Sequence, residues 1–163
     1  MLTQSTRRVL YADRDFCLGD WRNVMLMMWG GEMRLEHLAA IRECQAQMNR
    51  AYPGSVGIVL FTQTMKLPGR EVRKASEMIG RELTPISLGA AHVVEGDGLK
   101  VATLRTVLSA ILLASRQRGP SRVFNRLDDA VPWLQAQPNV VAGGPETTPS
   151  LLDAATVLRR TFT

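Results

Sequence analysis

Val56-Gly-Ile-Val-Leu-Phe61 is the stretch on which the reading of this chain turns. It is a short apolar run rich in β-branched residues, preceded by Pro53-Gly54 and followed by a polar loop, and such a run reads as a strand covered on both faces. On its N-terminal side Leu35, Leu38, Ile41 and Met48 recur near helical spacing, with Arg34, Glu36, Arg42, Glu43 and Arg50 on the other faces. On its C-terminal side, past Pro68-Gly69, Val72, Ala75, Met78, Ile79 and Leu83 repeat that pattern until Pro85 halts it. A buried strand between two amphipathic helices is the repeating unit of a parallel sheet, because parallel neighbours need a crossover long enough to be a helix.

Further along, Ile86 to Val94 supplies another strand and Glu95-Gly-Asp-Gly98 a turn. Val101, Leu104, Val107, Leu108, Ile111 and Leu112 then make a helix that is apolar around much of its circumference and is expected to pack on the sheet. Gly119-Pro120 breaks it, Arg122 to Phe124 is a short last strand, and Leu127 to Leu134 is a short helix whose Asp128 and Asp129 suit an N-terminus. Toward the start of the chain, Asn23 to Trp29 is nearly all apolar and reads as a second covered strand. Val9 to Leu18 alternates through Tyr11, Asp13, Asp15 and Cys17, as an edge strand with one solvated face does, with a turn at Gly19-Asp20. The expectation is an α/β fold with a mixed, mostly parallel central sheet of about five strands flanked by helices. Residues 1–137 form its single domain, 138–149 a Pro/Gly/Thr linker, and 150–163 an amphipathic C-terminal helix.

Composition narrows the class. With 163 residues and 45% hydrophobic content the chain can bury a core without disulfide or metal staples. Lys and Arg number 20 against 15 Asp and Glu, a net charge of +5 that favours anionic partners without requiring one. Cys17 and Cys44 lack the spacing of a redox or zinc motif and read as reduced thiols. The first residues are polar where a signal peptide is apolar, and no apolar run approaches membrane-spanning length, so a cytoplasmic protein with no membrane partner is expected.

The element order, together with Trp21-Arg-Asn-Val24 at the start of a strand and Val123-Phe124 followed by Asp129-Ala-Val-Pro-Trp-Leu134, resembles the STAS-like domains typified by bacterial anti-sigma-factor antagonists. The resemblance covers roughly Arg7 to Leu134 and is closest to an uncharacterised bacterial group. It implies a non-enzymatic protein-interaction or regulatory module. In the regulatory members the loop after the central strand carries a phosphorylatable Ser or Thr; here that loop reads Thr62-Gln-Thr-Met-Lys-Leu-Pro-Gly-Arg70, without their Asp-Ser pair.

That loop is also the first candidate site on physical grounds, since ligands of open α/β sheets bind beyond the C-terminal ends of the strands. Thr62 and Thr64 offer hydroxyls, and Lys66, Arg70 and Arg73 gather near a helix N-terminus, an arrangement suited to an anionic ligand. Between Gly98 and Leu127 stand Lys100, Arg105, Arg116, Arg118, Arg122 and Arg126 with no acidic residue, but nucleic acid is not expected because few aromatics accompany them. His37 and His92 have no metal-ligand partner at the right spacing, and Asp13 and Asp15 read as the solvated face of a strand, so no metal, cofactor or enzymatic activity is expected. In the C-terminal helix, Leu151, Ala155, Leu158 and Phe162 mark one apolar stripe that must find a surface, on another protein, on a second copy or on its own domain. The leading expectation is therefore an interaction module acting through the Thr62 to Arg70 loop or the C-terminal helix, the alternative a small-molecule or nucleotide-binding sensor.

Overall fold

The computed structural model describes residues 7–114, 119–140 and 148–160. Its centre is a mixed six-stranded sheet in sequence order: β1 (Arg7–Ala12), β2 (Phe16–Trp21), β3 (Val24–Trp29), β4 (Ser55–Phe61), β5 (Ser87–Val94) and β6 (Ser121–Phe124). β1, β2 and β3 form an antiparallel meander, and β3 to β6 run parallel. The crossovers are α1 (Leu35–Ala51), α2 (Arg70–Leu83) and α3 (Leu99–Ala114), and the chain continues through α4 (Leu127–Gln135) to α5 (Thr148–Arg160). The α/β class and the mostly parallel sheet are as the sequence implies.

The sixth strand comes from the region expected to hold one. Val9 to Leu18 is not a single edge strand, and the chain reverses between Ala12 and Phe16 rather than at Gly19-Asp20, which lie inside β2. The cause is Asp13, whose Oδ1 accepts the backbone N–H groups of Asp15 and Phe16, both at 2.8 Å, and bends the chain locally. Asp13 and Asp15 therefore sit in a turn, not on a solvated strand face, and Asp15 is buried. The next reversal, between β2 and β3, falls on Arg22, which adopts φ 54°.

Because successive side chains of a strand point to opposite faces, the sheet sorts its apolar residues into two cores. On one face Cys17, Leu26, Met28, Ile58, Leu60, Ala91 and Val93 meet α4 through Leu127, Ala130, Val131 and Leu134, and meet α5 through Leu151, Ala154, Ala155 and Leu158. On the other, Phe16, Leu18, Met25 and Trp29 pack on Leu38, Ile41, Cys44 and Met48 of α1, and Val59 and Phe61 lie half-buried beneath Val72, Ala75 and Ile79 of α2. The C-terminal helix is thus an integral part of the domain's core rather than a separate element. Its Leu151, Ala155 and Leu158 are covered by their own domain, one of the three surfaces the sequence left open and not a separate partner, and Phe162 lies outside the described residues. Burying the two leucines alone is worth roughly 3–6 kcal/mol, enough to order a helix that would be marginal in isolation.

The packing of α3 is less complete. It packs on β5 and β6 as its apolar sequence implies, but by one side only. Leu99, Val107, Ile111 and Leu113 are 85%, 49%, 57% and 89% exposed.

Candidate functional site

At the C-terminal ends of β3 to β6 the connecting segments enclose an open cleft of about 1440 Å³. One wall is the segment after β4. Thr62 donates its N–H to Trp29 O at 3.0 Å, Lys66 N–H reaches Gly31 O at 3.0 Å, and the Thr64 hydroxyl donates to Gly30 O. With that proton committed, the Thr62 hydroxyl donates to Thr64 Oγ1 at 2.9 Å. The Thr64 hydroxyl proton therefore latches the segment to Gly30 just past β3, and the Thr62 proton is spent within the segment, so neither faces a ligand.

The floor is the turn after β5. Glu95 N–H donates to Phe61 O at 3.0 Å, and Gly96 takes φ 105°, a conformation that suits glycine. A Cβ at Gly96 would also press on the Gln63 side chain, which would have to move aside. Arg105 reaches back from α3 and pins this turn: its Nε and Nη2 donate to Val94 O at 3.0 and 2.7 Å, and Nη2 donates to Gly96 O at 2.7 Å.

The far wall is Asn125, Arg126 and the start of α4, and the rim is completed by Arg14 and by Thr156, Arg159 and Arg160 of α5. Three of the rim cations are paired with carboxylates: Arg14 with Asp15 at 3.4 Å, Arg126 with Asp128 at 3.1 Å and Arg159 with Glu95 at 2.7 Å.

The residues expected to bind an anion are divided by this geometry. Thr62 and Thr64 line the cleft, whereas Lys66, Arg70 and Arg73 are exposed on the loop and the first turn of α2 and do not line it. Arg105 and Arg126, visible in the sequence as members of an acid-free basic run, are in it; Arg14 and Arg159 are also in it, carried by segments far apart in the chain. No sequence signal marks those two, because only the turn after β1 and the docking of α5 bring them to the strand ends.

A polar network stands outside the cleft, where the turn after β1 meets α1. Arg34 donates to Asp13 and Asp15, each at 2.6 Å, and to Glu36 at 2.8 Å. His37, fully buried, accepts the Arg34 N–H at Nδ1 (3.1 Å) and so donates from Nε2 to Asp13 Oδ2 at 2.9 Å. Tyr11 donates its hydroxyl to the same oxygen at 3.1 Å. Burial alone would raise the Asp13 carboxyl, but the bonds from His37, from the Asp15 and Phe16 N–H groups and from Tyr11 outweigh it and hold Asp13 well below the usual carboxylate range. Burial opposed by the Arg34 hydrogen bond likewise leaves Asp15 lowered, and Glu36, Asp15 and Asp13 push the Arg34 guanidinium up. The sequence spacing gave His37 no partner; the fold supplies one from 24 residues away.

Asp13, Glu36 and His37 place one ligand atom each within 4.8 Å of one another, but the Arg34 guanidinium already bonds both carboxylates there. Both ring nitrogens of His37 are engaged in hydrogen bonds. This network fastens the β1–β2 turn to the start of α1.

His92, on β5, is the other histidine. Burial pushes it down to about 4, and neither ring nitrogen has a hydrogen-bond partner. Among the described residues no helix is long and apolar enough to cross a membrane. No known protein family, curated protein or solved structure matches this chain.

Proposed function

We propose that this chain is a non-enzymatic protein-interaction module of STAS-like architecture, working in a bacterial regulatory system, and that it meets its partner through the outer face of α3. The observation that carries the reading is that face: Leu99, Val107, Ile111 and Leu113 stand in solvent on one helix, a concentration of large exposed apolar residues that a soluble domain keeps for a partner. The saturated His37–Asp13 pair and the unpartnered, buried nitrogens of His92 leave neither histidine placed for acid–base work, which favours binding over catalysis.

Charge selects the kind of partner. From Leu99 to Arg126 the sequence has no acidic residue, and Lys100 and Arg122 are exposed beside the apolar face. Two copies of this face would set like charges against each other, so the fitting partner is a different protein whose apolar stripe is bordered by Asp and Glu.

A photo-crosslinking residue at Ile111, with one at exposed Asp129 of α4 as control, tests this in the native host. The expected result is one heterologous adduct from position 111, with an acidic-rimmed apolar surface at the crosslinked site, lost in a Val107→Lys variant. That variant should melt within a few degrees of the parent, since an exposed substitution changes stability by about 0.5 kcal/mol or less. Adducts only with a second copy, or none above the control, would overturn the proposal.

A further inference from the structure

We propose that the cleft at the ends of β3 to β6 is a binding site for a small phosphate-bearing molecule, anchored on Arg105 and on the start of α4. The site is distinct from the α3 face, and neither inference depends on the other.

Arg105 is the first reason. Its guanidinium is held by three bonds to Val94 O and Gly96 O, so its orientation is set before any ligand arrives. Those acceptors are neutral carbonyls. Arg14, Arg126 and Arg159 each spend their charge on a carboxylate, whereas among the described residues Arg105 forms no ion pair and keeps its full charge for the cleft. A cation fixed in place and uncompensated is what an oxyanion needs from a host, because little ordering remains to be done on binding.

The second reason is α4. Leu127 and Asp128 open its first turn and line the cleft, and the first N–H groups of a helix have no acceptor within the helix. Helix N-termini bind phosphate through those groups and the positive end of the dipole. The third reason is the balance of charge: Arg14, Arg105, Arg126, Arg159 and Arg160 stand against Glu95, Asp97, Asp128 and the Asp15 that pairs with Arg14, and five against four still leaves the cleft positive.

The lining also restricts the ligand. Among the described residues no aromatic side chain borders the cleft, so a base or ring has none there to stack on and the phosphoryl group must carry recognition. Its volume of about 1440 Å³ exceeds that of typical closed pockets for apolar ligands, and half of its lining residues are charged, which suits a hydrated anion.

Amide-resolved NMR titration of the full chain with inorganic pyrophosphate, and separately with ADP, tests the proposal. Saturable shifts are expected at Gly96, Asp97, Leu127 and Asp128 with both probes. Arg105→Gln should weaken binding by roughly tenfold or more, and Arg126→Gln by about threefold. Arg105 also pins the β5–α3 turn, so if Arg105→Gln lowers the melting temperature, the double variant Arg14→Gln/Arg126→Gln, altered only at exposed rim residues, takes its place and should weaken binding by a similar factor. Absence of saturable shifts at these four amides up to about 10 mM pyrophosphate would overturn the site, as would unchanged affinity in the folded variants. Binding of ADP without binding of pyrophosphate would overturn the phosphoryl-led recognition.

Discussion

The two faces of the sheet are made from the same strands and end in different states. Under α4 and α5 the cover is nearly complete: Leu26, Ile58 and Leu60 of the sheet and Leu151 and Ala155 of α5 have no exposure at all, and Leu88 alone of the sheet residues packed there is partly buried. Under α2 and α3 the cover is partial, Val59 and Phe61 stay half-buried, and neither helix contains a fully buried residue among those described. The difference lies in how each helix distributes its apolar residues. α5 confines Leu151, Ala154, Ala155 and Leu158 to one stripe, and docking hides all of it. α3 is apolar around its circumference, and a helix resting on a sheet can bury only one side, so the remainder faces outward. Hydrophobicity beyond what the domain can cover is surplus to folding, and that surplus is the surface assigned above to the proposed partner.

The sharpest way to break this contrast is to place one charge on each side of β4. Leu60→Asp buries a carboxylate in the sealed face and should cost about 4–5 kcal/mol, enough to unfold the domain. Val59→Asp, one residue away on the partly covered face, can reach water and should cost about 1–2 kcal/mol with the fold retained. Urea denaturation followed by circular dichroism distinguishes the two, and equal losses would show that the faces are equivalent.

A smaller effect tests the sealing helix. Leu158→Ala removes a side chain with 1% exposure and should cost about 2–4 kcal/mol by leaving a cavity between α5 and the sheet. Because α5 docks within its own chain, the mass measured by light scattering should be the same for this variant as for the parent. A change in mass with little change in stability would mean that the helix belongs to an interface between copies.

The smallest effect is on pH dependence and belongs to the partly covered face. An unfolded histidine takes up its proton near pH 6.5, whereas folded His92 does so only at about 4. Between those values the unfolded chain binds the extra proton, so stability falls by about 2 kcal/mol as pH drops through this window. His92→Leu should flatten the melting temperature between pH 6.5 and 4. The lowered Asp13 and Asp15 carboxyls act at more acid pH, their contribution being lost only as pH falls below the ordinary carboxylate range. A slope between pH 6.5 and 4 that survives His92→Leu would place its source elsewhere.

How much of this was legible depended on range. The runs Asn23 to Trp29 and Val56 to Phe61 and the helical stripe from Leu35 to Met48 announce themselves because periods of two and 3.6 are local properties. The turn at Asp13 was not legible, since an aspartate in an alternating run looks the same whether it faces solvent or folds back onto its own N–H groups. The cleft was half legible: Thr62 and Thr64 follow the central strand by a general rule, but Arg14 and Arg159 come from opposite ends of the chain.

By itself the sequence determined the class of the fold, the order of its helices and parallel strands, and the stripe along which the last helix docks, because each is written in spacing along the chain. Tertiary structure alone decided that α5 docks on its own sheet, that His37 meets Asp13, that Arg105 is held by backbone carbonyls at the strand ends, and that α3 stands half in water. Those outcomes depend on which surfaces are already occupied when an element arrives. An apolar residue states a need for cover, and only the packed molecule says whether that need has been met.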